Sequence, residues 1–425
     1  MKTIKYPLRK EWDELLKRPV FDSTSLEGIV KDVLTDVKKN GDVALKKYTK
    51  QFDSVELEEF LVTDKEFVEA EKKVSNELKL AIQQAKTNIE KFHSLQKEDI
   101  KIIETAPGVK CWRKSVAIEK VGLYIPGGSA PLFSTVLMLG IPATIAGCKE
   151  IVLCSPPDLN GNLNAVILYV AQLVGIKNVF KVGGVQAIGA MAYGTESVPK
   201  VYKVFGPGNQ YVTCAKQLIS KEGVAIDMPA GPSEVAVFAD ESCVPEFVAA
   251  DLLSQAEHGA DSQVILISTQ EVVLEIVKEE LEKQVKLLPR KEIVIKALEN
   301  SKAILMNGND EAIDLLNNYA PEHLIIACKD YEQIAEKIIN AGSVFLGNYS
   351  CESAGDYASG TNHTLPTNGY AKAYSGVSLD SFVKKITFQK LSEEGISSIG
   401  NAIELMAEAE GLGAHKNAVS IRLKK

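Results

Sequence analysis

The chain has 425 residues, of which 45% are hydrophobic, so it can bury more than one core. Its formal net charge of −8 at pH 7 and its pI of about 5.4 argue against a nucleic-acid partner, because phosphates require a basic protein face. We therefore expect two large folded units and small-molecule ligands.

The first predicted element is an N-terminal helical region over residues 1–114. Its sequence is charge-rich with apolar residues at helical spacing, as in SLEGIVKDVLTDVKKNGDVALKKYTKQF and SNELKLAIQQAKTNIEKFHSLQ. The second stretch carries His93, which we expect to be exposed to solvent.

Residues 115–233 differ, with short β-rich runs that alternate with helices. The runs are KVGLYIPGG, EIVLCSPP, VFKVGGVQA and VYKVFGPGN, each with glycine or proline near its end. This pattern is typical of parallel βαβ units, whose ligands lie at the C-terminal ends of the strands. It predicts a first Rossmann-like domain.

A second set of strands over residues 234–365 predicts a second Rossmann-like domain in series, with the runs EVAVFAD, SQVILIS, KAILMN, HLIIAC and SVFLG. Residues 366–425 show no further βαβ pattern and indicate a helical tail. The expected fold is therefore α/β, with two parallel-sheet domains between an N-terminal helical region and a C-terminal tail. The tail helix EEGISSIGNAIELMAEAEGLG has an apolar stripe that must be covered, formed by Ile396, Ile399, Ile403, Leu405 and Met406.

The glycine-rich loops of the first domain do not form a standard nucleotide fingerprint. GPGNQY begins like G-x-G-x-x-G but ends in Tyr211, and no G-x-x-x-x-G-K-[ST] occurs. The glycines could simply permit tight turns between strands and helices. The polar residues on these turns could equally reach a ligand, and the candidates are Tyr124, Gln186 and Asn209.

His258, one of five histidines, follows a predicted amphipathic helix in DLLSQAEHGADS. Gln255 and His258 are three residues apart and share one flank of that helix. His258 could interact with the helix dipole just before Gly259, or it could act with Gln255 as a ligand.

The remaining histidines each have a carboxylate nearby, in the pairs Glu322 with His323, Asp356 with His363, and Glu410 with His415. Imidazole and carboxylate groups are ligands for zinc, and an adjacent Glu–His pair suits base catalysis. Structural roles are open alternatives: Pro321 and Glu322 suit the first turn of a helix, Asp356 a turn, and Glu410 a solvated helix face.

The cellular compartment is indicated by the apolar segments and cysteines of the sequence. The longest apolar run, TVLMLGIPATIAGC, contains proline and is too short to cross a bilayer, and MKTIKYPLRKEW at the N-terminus lacks the apolar stretch of a signal peptide. Seven cysteines without a CxxC pair are typical of reduced thiols rather than of disulfides or a thiolate zinc site. We expect a cytoplasmic protein.

Several of these stretches together resemble the histidinol dehydrogenase family. The matching segments, spread over residues 115 to 423 in the family's order, are GLYIPGG, GGVQAIGAMAYGTESVPKV, FGPGN, DMPAGPSEV, DLLSQAEHGADSQV, PEHL, GSVFLG, ESAGDYASGTNHTLPT and AHKNAVSIR. DLLSQAEHG, SAGDYASGTNH and AHKNAV are specific to the family, whereas the first 115 residues match only loosely.

The resemblance implies NAD-linked, zinc-dependent oxidation of L-histidinol to L-histidine through L-histidinal. It implies one zinc ion per site, with the ligands Gln255, His258, Asp356 and His415, all of which would also adjoin the substrate. It implies further substrate contacts from Ser233, His323, His363 and Glu410, and NAD contacts from Tyr124, Gln186 and Asn209. It also implies an intertwined homodimer in which each tail completes the partner's site.

The same resemblance makes Glu322 and His323 the catalytic pair. We assign His323 to remove the hydroxyl proton and Glu322 to activate the water that attacks the aldehyde. A thiohemiacetal on Cys148 or Cys154 is a less favoured route, because both lie in apolar sequence without a nearby histidine.

Other functions remain open at this stage. Another zinc- and NAD-dependent amino-alcohol dehydrogenase would share the chemistry. A small-molecule binding protein would need no base and no cofactor. In a zinc hydrolase Glu322 would activate water on an amide, and product would form without NAD.

Overall fold

The computed structural model describes residues 1–19, 23–127, 131–229 and 231–424. Gly128 and Ala230, which belong to two of the quoted motifs, lie outside these ranges. Among the described residues no helix is long and apolar enough to cross a membrane.

The described chain alternates strands and helices along most of its length. In chain order the strands are β1 (Lys2–Lys5), β2 (Ile103–Ala106), β3 (Val109–Ala117), β4 (Lys120–Tyr124), β5 (Glu150–Ser155), β6 (Asn178–Lys181), β7 (Lys203–Phe205), β8 (Ala225–Ile226), β9 (Glu234–Ala239), β10 (Gln263–Ser268), β11 (Lys302–Leu305), β12 (His323–Ala327), β13 (Ser343–Leu346) and β14 (Val383–Leu391). The α-helices are α1 (Trp12–Leu15), α2 (Ser23–Asp53), α3 (Asp64–Lys73), α4 (Asn76–Ser94), α5 (Phe133–Ala146), α6 (Ala165–Leu173), α7 (Gly184–Tyr193), α8 (Gln210–Lys221), α9 (Pro245–Ala256), α10 (Glu271–Val285), α11 (Lys291–Glu299), α12 (Asn309–Tyr319), α13 (Tyr331–Ala335), α14 (Glu352–Tyr357), α15 (Glu393–Ala409) and α16 (Gly413–Leu423).

The first parallel sheet has the strand order β6-β5-β4-β7-β8. Helices α5 and α6 cover one face and α7 and α8 cover the other, which explains why its central strands are apolar on both sides. The chain order reverses between β4 and β7. Such a reversal opens a crevice at the C-terminal ends of parallel strands, where ligands bind.

The second sheet is also entirely parallel, in the order β1-β11-β10-β9-β12-β13. Strands β9 and β10 are buried along their whole length. The predicted fold class, with two parallel-sheet α/β domains in series, is confirmed.

The N-terminal region is divided between the two domains. Helix α2 packs on α7 and α8, α3 on α6, and α4 on α5, so these helices extend the first domain. Strand β1 instead pairs with β11 at the edge of the second sheet. The region predicted to be helical therefore also contains β1, β2 and most of β3.

The prediction that His93 is exposed is wrong, because its side chain is completely buried in α4. One ring nitrogen, Nδ1, lies 3.0 Å from the Ile89 carbonyl, and Nε2 lies 3.5 Å from the Asn362 amide nitrogen. Helix α4 packs this face against α5 and a loop from the second half of the chain, which local periodicity could not reveal.

The tail consists of a strand and two helices. Strand β14 pairs antiparallel with β3, and β2 completes this third sheet. Helix α15 packs on β2, β14 and α16, at the positions predicted for the tail helix. Leu405 and Met406 of its apolar stripe remain 59% and 66% exposed, so one chain does not cover the stripe.

Candidate active site

Glu322 and His323 lie where the chain enters the second sheet. The alternative in which Pro321 and Glu322 begin a helix is excluded, because β12 starts at His323. Helix α12 ends before Ala320, which has the left-handed φ of 52°, and the proline then stops the helix rather than starting a new one. Both members of the pair are buried.

The polar residues of the second domain gather at the N-terminal edge of its sheet. His323 begins β12, and Glu234, next to Ser233, begins β9. Helix α9 connects two parallel strands, so its C-terminal end, with Gln255, returns to this same edge. These candidate residues therefore lie at the opposite edge from the C-terminal strand ends at which we expect ligands in the first domain.

The imidazole of His323 lies between two carboxylates. Its Nδ1 is 3.7 Å from Oε2 of Glu322, and its Nε2 is 3.6 Å from Oδ1 of Asp356. Neither ring nitrogen has a hydrogen-bond partner among the described residues. A buried imidazole with both nitrogens free is available to exchange a proton with a bound ligand.

Glu322 is held by two donors on one carboxylate oxygen. Its Oε2 accepts a hydrogen bond from the Glu234 backbone N–H at 3.0 Å and another from the Gln255 side-chain amide at 3.2 Å. Burial raises the pKa of Glu322 to about 7. A carboxyl group with that pKa can act as a base or an acid near neutral pH.

Three side chains are arranged as a candidate metal centre. His258, Glu352 and Asp356 each offer one ligand atom, and these atoms lie within 4.8 Å of one another. His258 lies just after α9, where its backbone N–H donates to the Gln255 carbonyl at 3.3 Å. The side-chain oxygen Oε1 of Gln255 is buried without a partner among the described residues, as a metal-ligating carbonyl oxygen would be.

Acidic side chains crowd the buried space around this candidate metal centre. Burial raises the pKa of Glu352 to about 8 and that of Asp251 to about 7. Burial by itself would lower the pKa of His323, but Glu352, Glu322 and Asp356 outweigh it and raise that pKa to about 10. A divalent cation would offset these carboxylates, so the donor set suits zinc.

His363 links the cluster to the first domain. Its Nδ1 lies 3.0 Å from the backbone carbonyl of Asp356, and its Nε2 lies 3.1 Å from Oγ1 of Thr135 in α5. The ring is therefore fixed between α14 and the first turn of α5.

Glu410 and His415 are not brought to this cluster within one chain. Glu410 caps the end of α15, His415 lies in α16, and both are exposed. Ser233 is partly buried next to Glu234 at the start of β9.

The predicted NAD contacts line a cavity of about 1030 Å³ at the C-terminal edge of the first sheet. The Tyr124 hydroxyl accepts from the Gly184 N–H at 3.1 Å. Both amide atoms of Gln186 are buried without partners in the described part of the chain. Asn209 caps α8, with Oδ1 accepting from the N–H groups of Tyr211 and Val212. The cavity lies where the strand order reverses.

The two cysteines considered as nucleophiles are poorly placed. Burial raises the pKa of Cys148 to about 11 and raises that of the fully buried Cys154 in β5 still further. Such thiols hold little thiolate at neutral pH.

Comparison with known proteins agrees with the motifs. The family model described as histidinol dehydrogenase matches residues 16–423. The chain belongs to the histidinol dehydrogenase family. It is 63% identical over 423 residues to a curated histidinol dehydrogenase of Bacteroides thetaiotaomicron, covering 100% of this chain and 99% of the relative, and 52% identical to one of Yersinia pestis, covering 96% and 92%. A crystal structure of histidinol dehydrogenase from Elizabethkingia anophelis is 60% identical, with a TM-score of 0.98 and coverage of 100% of this chain and 98% of that one.

Sequence reasoning missed two residues in this histidinol dehydrogenase site. Glu352 is four residues before Asp356 in α14, a spacing that places both on one helix face, and this signal could have found it. Thr135 carried no such signal, because its contact with His363 spans 228 residues of sequence.

Proposed function

We propose that this chain oxidises L-histidinol to L-histidine through L-histidinal, with two molecules of NAD as hydride acceptors, in the last steps of histidine biosynthesis. The observation that carries the proposal is the buried Glu322–His323 pair beside a candidate metal centre. The cavity at the C-terminal edge of the first sheet supports binding of a dinucleotide there. The unpaired state of all seven cysteines, each in the described part of the chain, supports a cytoplasmic location.

The zinc ligands in this proposal are Gln255, His258 and Asp356, with His415 from the tail of a second copy. The free Oε1 of Gln255 and the short distances among the ligand atoms of His258 and Asp356 support this set. When bound, zinc supplies a Lewis-acid charge that orients the amino and imidazole nitrogens of histidinol and lowers the pKa of His323 toward a neutral base.

His323 and Glu322 divide the proton transfers. His323 takes the hydroxyl proton as the first hydride leaves the carbon for the nicotinamide ring, which gives the aldehyde. Glu322 then removes a proton from water as its oxygen bonds to the aldehyde carbon, and His323 returns its proton to the aldehyde oxygen. His323 takes a hydroxyl proton from this hydrate as the second hydride leaves, which gives the carboxylic acid, and the acid then loses its remaining hydroxyl proton to solvent and becomes the carboxylate.

Ser233 and His363 of one chain, together with Glu410 of a second copy, contact the substrate. The fixed ring of His363, close to Asp356, supports its role. Because Glu410 and His415 are exposed, and Leu405 and Met406 of the α15 stripe are exposed too, we propose a homodimer in which each tail reaches the partner's site.

Turnover tests the function. The purified protein should reduce two NAD per histidinol, and chelation should abolish this reduction. Tight histidinol binding without turnover would indicate a binding protein, and product formation without NAD would indicate a hydrolase.

The separate roles of the two residues are tested by the variants Glu322→Gln and His323→Asn. Glu332→Gln is the matched control, because Glu332 is exposed. His323→Asn should slow both hydride transfers by about 10²- to 10⁴-fold. Glu322→Gln should chiefly impair the step that needs water, so histidinal accumulates in single-turnover measurements. If Glu322→Gln oxidised added histidinal as fast as the parent enzyme, the role of Glu322 would be wrong.

A further inference from the structure

An unpaired carboxylate lies in the wall of the proposed dinucleotide cavity. Asp53, the last residue of α2, lines this cavity, and its Oδ2 is shielded from solvent without a hydrogen-bond partner among the described residues. Burial raises its pKa to about 6, so at neutral pH most of these side chains carry a charge without a counter-ion in the described structure. A shielded, unpaired carboxylate is costly, which points to a hydrogen-bond donor supplied by a ligand.

The position of Asp53 in the cavity indicates which half of the dinucleotide would lie next to it. Hydride transfer requires the nicotinamide ring near His323, on the side of α5, whose Thr135 contacts the catalytic cluster. Helix α2 packs on α7 and α8, on the opposite face of the first sheet from α5. A dinucleotide that crosses the sheet edge from α5 therefore brings its adenosine half to the wall formed by α2.

A second acid, Asp158, occupies the place where Rossmann folds usually present the ribose-binding acid. It follows β5, the second strand of this sheet in chain order. However, its Oδ1 already accepts from the N–H groups of Asn160 and Asn162, both at 2.9 Å, and the residue is exposed. This carboxylate stabilises its own loop, whereas Oδ2 of Asp53 has no hydrogen-bond partner in the described part of the chain.

We infer that Asp53 accepts hydrogen bonds from the vicinal 2′- and 3′-hydroxyls of the adenosine ribose and thereby selects NAD over its 2′-phosphorylated form. The inference rests on the proposed function, because it takes the cavity as the dinucleotide site. A 2′-phosphate removes one donor and brings about two negative charges to an unpaired carboxylate. The ribose-binding acid thus comes from the N-terminal helical region instead of from the strand end, which explains why no sequence fingerprint marks it.

Direct binding measures this selectivity without turnover. NADH and NADPH are titrated against the full-length protein by their own fluorescence, for the parent, Asp53→Asn and Asp158→Asn. Asp32→Asn is the matched control, since Asp32 is an exposed acid in the first part of α2, before the kink at Gly41, and does not line the cavity. Asp53→Asn should weaken NADH binding about tenfold, as expected for the loss of charge-assisted hydrogen bonds, while NADPH binding stays equal or tightens. The preference for NADH over NADPH then narrows by at least tenfold.

Two outcomes would overturn the inference. One is an unchanged ratio of NADH to NADPH affinity in Asp53→Asn. The other is a smaller preference for NADH in Asp158→Asn but not in Asp53→Asn. Asp53→Ser is measured alongside, so that one poorly folded variant cannot decide the result. If NADH does not bind in this cavity at all, the result is different. In that case neither Gln186→Ala nor Asp53→Asn would change NADH binding. If Gln186→Ala weakens NADH binding and neither Asp53 variant changes the ratio of NADH to NADPH affinity, the cavity is the dinucleotide site but Asp53 does not select the cofactor.

Discussion

A buried ion pair lies next to the proposed catalytic pair, Glu322 and His323, and its contribution to stability can be tested. Arg18 Nε lies 2.5 Å from Glu234 Oε2 and its Nη2 lies 3.0 Å from Glu234 Oε1, so the contact is bidentate. The side chains are only 13% and 1% exposed. The guanidinium also stacks 4.0 Å above the Tyr319 ring and donates to the Tyr319 carbonyl at 2.6 Å. Glu234 in turn donates its N–H to Glu322.

Arg18→Met removes the cation but keeps a long apolar side chain. Glu234 is then left as a buried carboxylate without its partner, and burial already raises its pKa with Arg18 present. Removing one member of a buried pair costs about 3–5 kcal/mol of the free energy of unfolding. Arg9 provides the matched control, because it pairs with Asp314 at 3.1 Å and lies over the Trp12 ring while its side chain is 75% exposed. Arg9→Met should cost less than about 1 kcal/mol.

Urea unfolding followed by tryptophan fluorescence measures both free energies, since Trp12 is buried in the same segment. Protein concentration is held constant so that any dimer contributes equally. The double variant Arg18→Met/Glu234→Gln should recover at least half of the loss, because no buried charge remains. Equal losses for Arg18→Met and Arg9→Met, or no recovery in the double variant, would refute the buried-pair reasoning.

Three further predictions follow from the site and its surroundings. His258→Asn should release most of the bound zinc and abolish turnover while thermal unfolding stays cooperative, as metal analysis and calorimetry would measure; full activity in metal-free protein would contradict the zinc role. Mixing Glu322→Gln with His415→Asn under subunit exchange should restore about a quarter of parent activity, since roughly half of the dimers are mixed and each has one intact site of two; no recovery despite verified exchange would place His415 in its own chain's site. Burial lowers the pKa of His93 below the usual 6.5, so the unfolded chain binds this proton more readily and stability falls as pH falls below 6.5, by up to about 1.4 kcal/mol per pH unit. His93→Gln should flatten that decline in unfolding measurements, and an unchanged slope would assign it to other groups.

Much of the fold was determined by local sequence pattern. The apolar runs ending in glycine or proline predicted strands such as β4 and β5, and the tail helix was predicted where α15 lies. Motifs such as DLLSQAEHG and SAGDYASGTNH identified the family, which the family match confirms. These properties follow from residues close in sequence, whose spacing sets which side of an element is apolar.

Tertiary structure decided what depends on distant parts of the chain. His93 is buried because Asn362, 269 residues away, packs against it, and β1 joins a sheet whose other strands begin beyond residue 230. The proline before Glu322 stops one helix instead of starting another, since the chain turns there into β12. Glu352 joins the candidate metal centre, and Asp53 the proposed dinucleotide cavity, only when separate elements meet. Burial, charge and missing hydrogen-bond partners are properties of that assembly, because each depends on which surfaces exclude water from a side chain.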